Sequence, residues 1–137
     1  MNVRLDAIGL FVIDIKRMVE FYRDVIGMKI DWDGGPHAEF ANEGIRFMMY
    51  GRADFESLIK KDISYPSGIN GTFELAIDLP NFSDVDREFD RVIKMGATPI
   101  YEPKDEPWGM RSSYIADPEG NLIEIGSWGK GLQNEIN

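Results

Sequence analysis

Two glutamates interrupt runs of alternating apolar residues. Glu124 lies between Ile123 and Ile125 in DPEGNLIEIGSW (117–128), and Glu74 between Phe73 and Leu75 in TFELAIDL (72–79). Successive side chains of a strand point to opposite faces. Ile123 and Ile125 then share one face, and Leu122, Glu124 and Gly126 the other. Likewise Phe73, Leu75, Ile77 and Leu79 oppose Thr72, Glu74, Ala76 and Asp78. The apolar face belongs against a covering helix, so both carboxylates are expected on the side away from it. In partly apolar surroundings a carboxylate is pushed towards the pKa of a working general base. Two carboxylates with waters can also hold a hard divalent ion weakly. The plainer alternative is an ion pair with Arg46, because a lone buried charge is costly.

Other residues gather around the same idea. Arg46, Met48 and Tyr50 alternate onto one face of a short strand, and Phe11 is expected to share it. Apolar walls around a few polar groups suit a small-molecule pocket. His37, the only histidine, follows Gly34-Gly35-Pro36; it is either a solvated turn residue or, if its strand borders the pocket, a substitute ligand or base. Trp108-Gly109-Met110-Arg111 enters a strand after Pro107, and Trp32 stands near the end of another. Tryptophans at such junctions seal a core or a dimer edge, or line a ligand.

Elements that position these residues follow from periodicity. Three- and four-residue spacing predicts helices over 16–26, capped by Asp14 and stopped by Gly27, and over 84–95, with Ser83–Asp86 as a capping box and Gly96 closing it. Strands are expected over 5–13, 28–32, 38–41 and 45–50, and again over 72–79, 98–101, 112–116 and 122–127. The chain thus reads βαβββ twice. Module one covers about 4–51, a connection 52–70 (with a short helix near 54–61), module two 71–128 and a polar tail 129–137, together one domain over 1–137. Laid over each other, Ala7 falls on Glu74, Tyr22 on Phe89, Gly27 on Gly96, Gly44 on Gly120 and Met48 on Glu124.

Composition narrows the field. The 137 residues are 43% hydrophobic and 28% charged, with no cysteine and a net charge of −9. Disulfides, thiolate metal sites and cysteine nucleophiles are excluded. The negative charge speaks against nucleic acid and anionic membranes as partners, and no apolar run approaches ~18 residues, so a cytoplasmic protein is expected. Glycine-rich phosphate loops and a serine elbow are missing.

Three segments carry a family resemblance: LDAIGLFVIDIKRMVEFYRDVIG, FELAIDLPNFSDVDREFDRVIKMGA and, above all, EPWGMRSSYIADPEGNLIEIGSW. They resemble the vicinal oxygen chelate superfamily of glyoxalases, bleomycin-resistance proteins and extradiol dioxygenases. The resemblance implies an α+β fold in which two βαβββ modules form an open, curved mixed sheet with helices on its convex side. It also implies a homodimer, the Ala7/Met48 half of one chain facing the Glu74/Glu124 half of the other.

Metal-dependent members carry ligands at four positions, which correspond here to Ala7, Met48, Glu74 and Glu124. Glu124 alone matches the family pattern: Ala7 has no donor, Met48 offers a thioether unsuited to hard ions, and Glu74 replaces a histidine. No cofactor is therefore expected beyond a weakly held divalent metal at Glu74 and Glu124, and glyoxalase I or extradiol chemistry is not expected. The PWG-R run resembles the pocket lip of the bleomycin-resistance branch. The expected function is small-molecule binding, with Phe11, Trp32, His37, Arg46, Met48, Tyr50, Trp108 and Arg111 around an amphipathic or cationic ligand. The alternative is a lyase or isomerase using Glu124 or Glu74 as general base.

Overall fold

Asp14 starts the first helix. Its carboxylate accepts a hydrogen bond from Arg17 N at 3.1 Å, which satisfies one of the free donors of the first turn. Ahead of it runs β1 (Ala7–Val12), and behind it α1 (Ile15–Glu20), which widens into a π-helical stretch over Phe21–Ile26. Gly27 ends this stretch at φ 94°, a conformation that suits glycine. The sequence predicted one regular helix over 16–26; the wider final turn has no signature in apolar spacing.

Three further strands, β2 (Lys29–Ile30), β3 (His37–Ala41) and β4 (Arg46–Gly51), complete a four-stranded sheet in the order β1-β4-β3-β2. The β1–β4 pair is parallel and the others antiparallel. Leu10, Val12, Ala38, Phe40, Phe47 and Met49 bury one face against Met18, Val19, Phe21, Tyr22 and Val25. Tyr22 packs on Phe40 and Phe47, with ring centroids 5.9 and 5.2 Å away. β2 is shorter than the predicted 28–32 because the chain turns early: Trp32 Nε1 donates to Gly35 O at 2.9 Å, and Gly35 N to Asp33 Oδ1 at 2.8 Å.

The structure describes residues 1–131, which divide between Tyr65 and Pro66 into two compact units. The last six residues of the predicted tail, 132–137, lie outside the described residues. Helix α2 (Arg52–Ile59) closes the first unit, starting two residues before the predicted 54–61.

The second unit repeats the plan with β5 (Asn70–Asp78), α3 (Phe82–Lys94), β6 (Thr98–Asp105), β7 (Arg111–Ala116) and β8 (Asn121–Ser127), in the sheet order β5-β8-β7-β6. Val85, Phe89 and Val92 of α3 cover Ile115, Ile123 and Ile125, all buried. Its capping box joins Asn81 and Asp84, earlier than the predicted Ser83–Asp86 pair. β6 reaches past the predicted 98–101 to Asp105, and Pro99 and Pro103 are tolerated because the strand is at the sheet edge.

The turn DPEGN is built on Asp117, only 3% exposed. Its carboxylate accepts from Glu119 N (2.9 Å), Asn121 N (3.0 Å) and Asn121 Nδ2 (2.9 Å). Gly120 sits at φ 88°, where a Cβ would overlap Gly68 O, and its carbonyl accepts from Asn70 N at 2.9 Å. The motif thus anchors the start of β5 to the β7–β8 turn. Among the described residues no helix is long and apolar enough to cross a membrane.

Candidate functional site

Strand register sets the open face of the second sheet. Glu74 lies opposite Leu122, Ala76 opposite Glu124, Tyr114 opposite Glu124 and Ser112 opposite Gly126. Directly paired residues share a face, so Glu74, Leu122, Glu124, Tyr114 and Ser112 all stand on the side away from α3. That is the placement expected for both glutamates. A cleft of about 570 Å³ opens over this face, lined by Phe73, Glu74, Ile100, Tyr101, Glu106, Trp108, Ser112, Tyr114 and Leu122, with Gly71 at its margin. Its size and its largely apolar wall are those of a small-molecule site.

Phe73 departs from expectation. Strict alternation puts it on the helix side, yet it lines the cleft beside Glu74. The reason is a break in the ladder: between the pairs Asn70–Asn121 and Glu74–Leu122, β5 advances by more residues than β8. Residues 71–73 are left unpaired there, and the two-residue alternation lapses.

Glu124 is half-buried on the same face, and Tyr114 Oη of the cleft wall donates to its Oε2 at 3.2 Å. Burial pushes its carboxyl above the usual range, the neighbouring charge of Glu74 adds to this, the Tyr114 hydrogen bond opposes it, and Glu106 raises it further. The Tyr114 phenol is itself held well above the ordinary tyrosine value, first by burial and then by the carboxylates of Glu74 and Glu124. At the rim, Tyr101 Oη donates to Glu106 Oε1 at 2.8 Å, and the Tyr101 and Tyr114 rings meet edge-on at 6.2 Å. Met110 packs on Gly126 of the same face: its Cε lies 2.7 Å from where a Cβ on Gly126 would stand.

Arg111 is not on this face. It alternates to the helix side, where Nε and Nη2 grip the Asp86 carboxylate of α3 at 2.7 and 2.8 Å and Nη1 reaches Asp105 at 2.9 Å. The expectation that it joins Trp108 at the pocket lip is therefore corrected; only the tryptophan borders the cleft. Trp32 is likewise committed to its own turn through Gly35 O.

The open face of the first sheet carries the other predicted residues. Ala7 pairs with Arg46, Gly9 with Met48, Phe11 with Tyr50, His37 with Tyr50 and Glu39 with Met48. His37 therefore stands on the same face as Tyr50, 6.3 Å between ring centroids. Phe11 stacks obliquely on Phe55 of α2 at 4.3 Å. Arg46 binds Asp6 at 2.6 Å and Glu39 at 2.9 Å, so its ion pairs are local and solvent-exposed rather than made with a buried glutamate. Asp6 is held below the usual carboxylate range by that guanidinium.

The family's four ligand positions carry few donors here. Ala7 has no donor, Met48 lies against Gly9 with its thioether chain, and one Glu124 oxygen is engaged by a phenol. Among the described residues, no group of three or more His, Asp or Glu side chains is placed to hold an ion.

Tyr101, Glu106, Tyr114, Ile100 and Leu122 were missed at the sequence level. Tyr114 and Leu122 carried a usable signal, since pairing 112–116 against 122–127 puts both on the side of Glu124. Glu106 had none, because it lies in a loop.

A family model described as Glyoxalase/Bleomycin resistance protein/Dioxygenase superfamily matches residues 4–125. The Bacillus subtilis (strain 168) protein named "Uncharacterized protein YraH" is 28% identical over 129 residues, covering 90% of this chain and 97% of that one. A protein of unknown function from Agrobacterium tumefaciens str. C58 superposes with a TM-score of 0.74 at 28% identity, covering 93% and 95% of the two chains. A glyoxalase/bleomycin resistance protein/dioxygenase family enzyme from Burkholderia phytofirmans PsJN gives a TM-score of 0.79 at 24% identity, covering 91% and 98%.

Proposed function

The chain belongs to the glyoxalase/bleomycin resistance protein/dioxygenase superfamily, and we propose that within it this protein is a small-molecule binder whose second unit holds an amphipathic organic cation. One observation carries the reading: the cleft wall combines Glu74 and Glu106 with Phe73, Tyr101, Trp108 and Tyr114 and, among the described residues, includes no lysine, arginine or histidine. Glu124 adds a third carboxyl bonded to the Tyr114 hydroxyl of that wall. A ligand with an apolar body and a positive head satisfies both features, through burial of the body and charge complementarity at the head.

A thermal-shift screen of matched aromatic cations and anions tests this. A ligand at ~100 times its dissociation constant adds about 2.7 kcal/mol to stability. Cations should raise the melting temperature and isosteric carboxylates should not; stabilisation by anions alone would reverse the assignment.

Glu124 also favours a second reading. A carboxyl held high by burial and bonded to a phenol has the properties of a general base, as a lyase or isomerase acting next to a carbonyl requires. Turnover that rises with pH through a single ionisation and disappears in Glu124→Gln, with cation binding retained, would put catalysis first.

A further inference from the structure

Resting on the cation-binding reading, we infer that the cleft selects cations bearing N–H groups, such as protonated amines, amidines or guanidines, over quaternary ammonium ions of the same shape. The inference comes from how the site has spent its own protons. Tyr101 donates its hydroxyl proton to Glu106, and Tyr114 donates its own to Glu124. Both phenols then present only lone pairs. Glu106 keeps a second oxygen, and Glu74, which shares the Tyr114 hydroxyl with Glu124, adds further acceptor capacity, so the carboxyl groups lining the cleft present acceptors. Among the described residues, the remaining side-chain donors in the wall are the Trp108 indole and the Ser112 hydroxyl, of which Ser112 is only 1% exposed.

A quaternary ammonium has no hydrogen to offer. It gains attraction from charge and rings, but it covers the carboxylate oxygens with methyl groups and removes their water without replacement. Unmet acceptors of that kind are costly, and hydrogen bonds to charged groups are the stronger class. A protonated amine or a planar amidinium supplies two or more donors to the same oxygens. A neutral aromatic fits the walls but leaves the charge unanswered.

The test uses one ring system with three heads: tryptamine, its N,N,N-trimethyl derivative and indole-3-propionate, titrated calorimetrically into the full-length protein at neutral pH. Tryptamine should bind at least ten times more tightly than the trimethyl compound, and indole-3-propionate most weakly. In Glu74→Gln and Glu106→Gln, tryptamine affinity should fall about tenfold while the trimethyl compound loses less, so the preference narrows. Equal affinity for the two cations would overturn the selectivity and leave the cation-binding reading standing. Tightest binding of the propionate, or no binding by any of the three, would overturn both.

Discussion

Glu124 is the residue on which opposing readings meet. Its carboxyl is raised above the ordinary value chiefly by burial and by Glu74, so the folded protein holds that proton more tightly than the unfolded chain does. Stability from this group is full below the unfolded value of 4.5 and is lost as pH rises towards the folded one. Glu124→Gln removes that dependence while its amide oxygen still accepts from Tyr114. We expect the variant to match the wild type near pH 4 and to melt at or above it at pH 7 and beyond, by differential scanning calorimetry. A loss of about 3–5 kcal/mol at pH 7 would instead mean that the substitution strands a buried cation. Gly120 makes a contrasting prediction. With φ 88° and Gly68 O where a Cβ would sit, Gly120→Ala should lower stability by at least ~2 kcal/mol in chemical denaturation. A change within ~0.5 kcal/mol would show that the DPEGN turn does not anchor β5.

At the scale of elements, Arg111 is a clamp between β7 and α3. Its three hydrogen bonds to Asp86 and Asp105 replace the ligand contact anticipated for it. Arg111→Met keeps the stem and loses the clamp, and should cost about 1–2 kcal/mol while ligand affinity stays unchanged. Asp86 is held below its usual value by the Arg111 guanidinium, so the clamp's contribution is present above pH 3.8 and is lost as pH falls below it. Lost binding with unaltered stability would return Arg111 to the site. Regular elements were readable because apolar periodicity encodes them. The overlay of Ala7 on Glu74 and Met48 on Glu124 reappears in the ladders, where Ala7–Arg46 and Gly9–Met48 match Glu74–Leu122 and Ala76–Glu124. What alternation hides is where it breaks. The unpaired residues 71–73 turn Phe73 into the cleft, and prolines mask the length of β6. Arg111 was misjudged for a related reason: a PWG-R run suggests a lip, but one residue of strand parity separates Trp108's cleft from α3.

For the molecule as a whole, we propose that residues 1–137 act as one vicinal-oxygen-chelate domain and that two copies associate. β1 and β5 each end their own sheet, and Leu5 and Ile69 beside them are exposed; exposed apolar side chains next to a sheet edge suit an interface. Sedimentation at micromolar concentration should give twice the 15.6 kDa chain mass, and a single 15.6 kDa species would contradict it. The central claim, that the carboxylates of the second unit draw a cation into an aromatic cleft, is tested most directly by calorimetric titration of tryptamine into wild type and the double variant Glu74→Gln/Glu106→Gln at two salt concentrations. We expect wild-type affinity to weaken as salt rises, and the double variant to bind at least tenfold more weakly with little salt dependence. Undiminished, salt-insensitive binding by a folded double variant would contradict it.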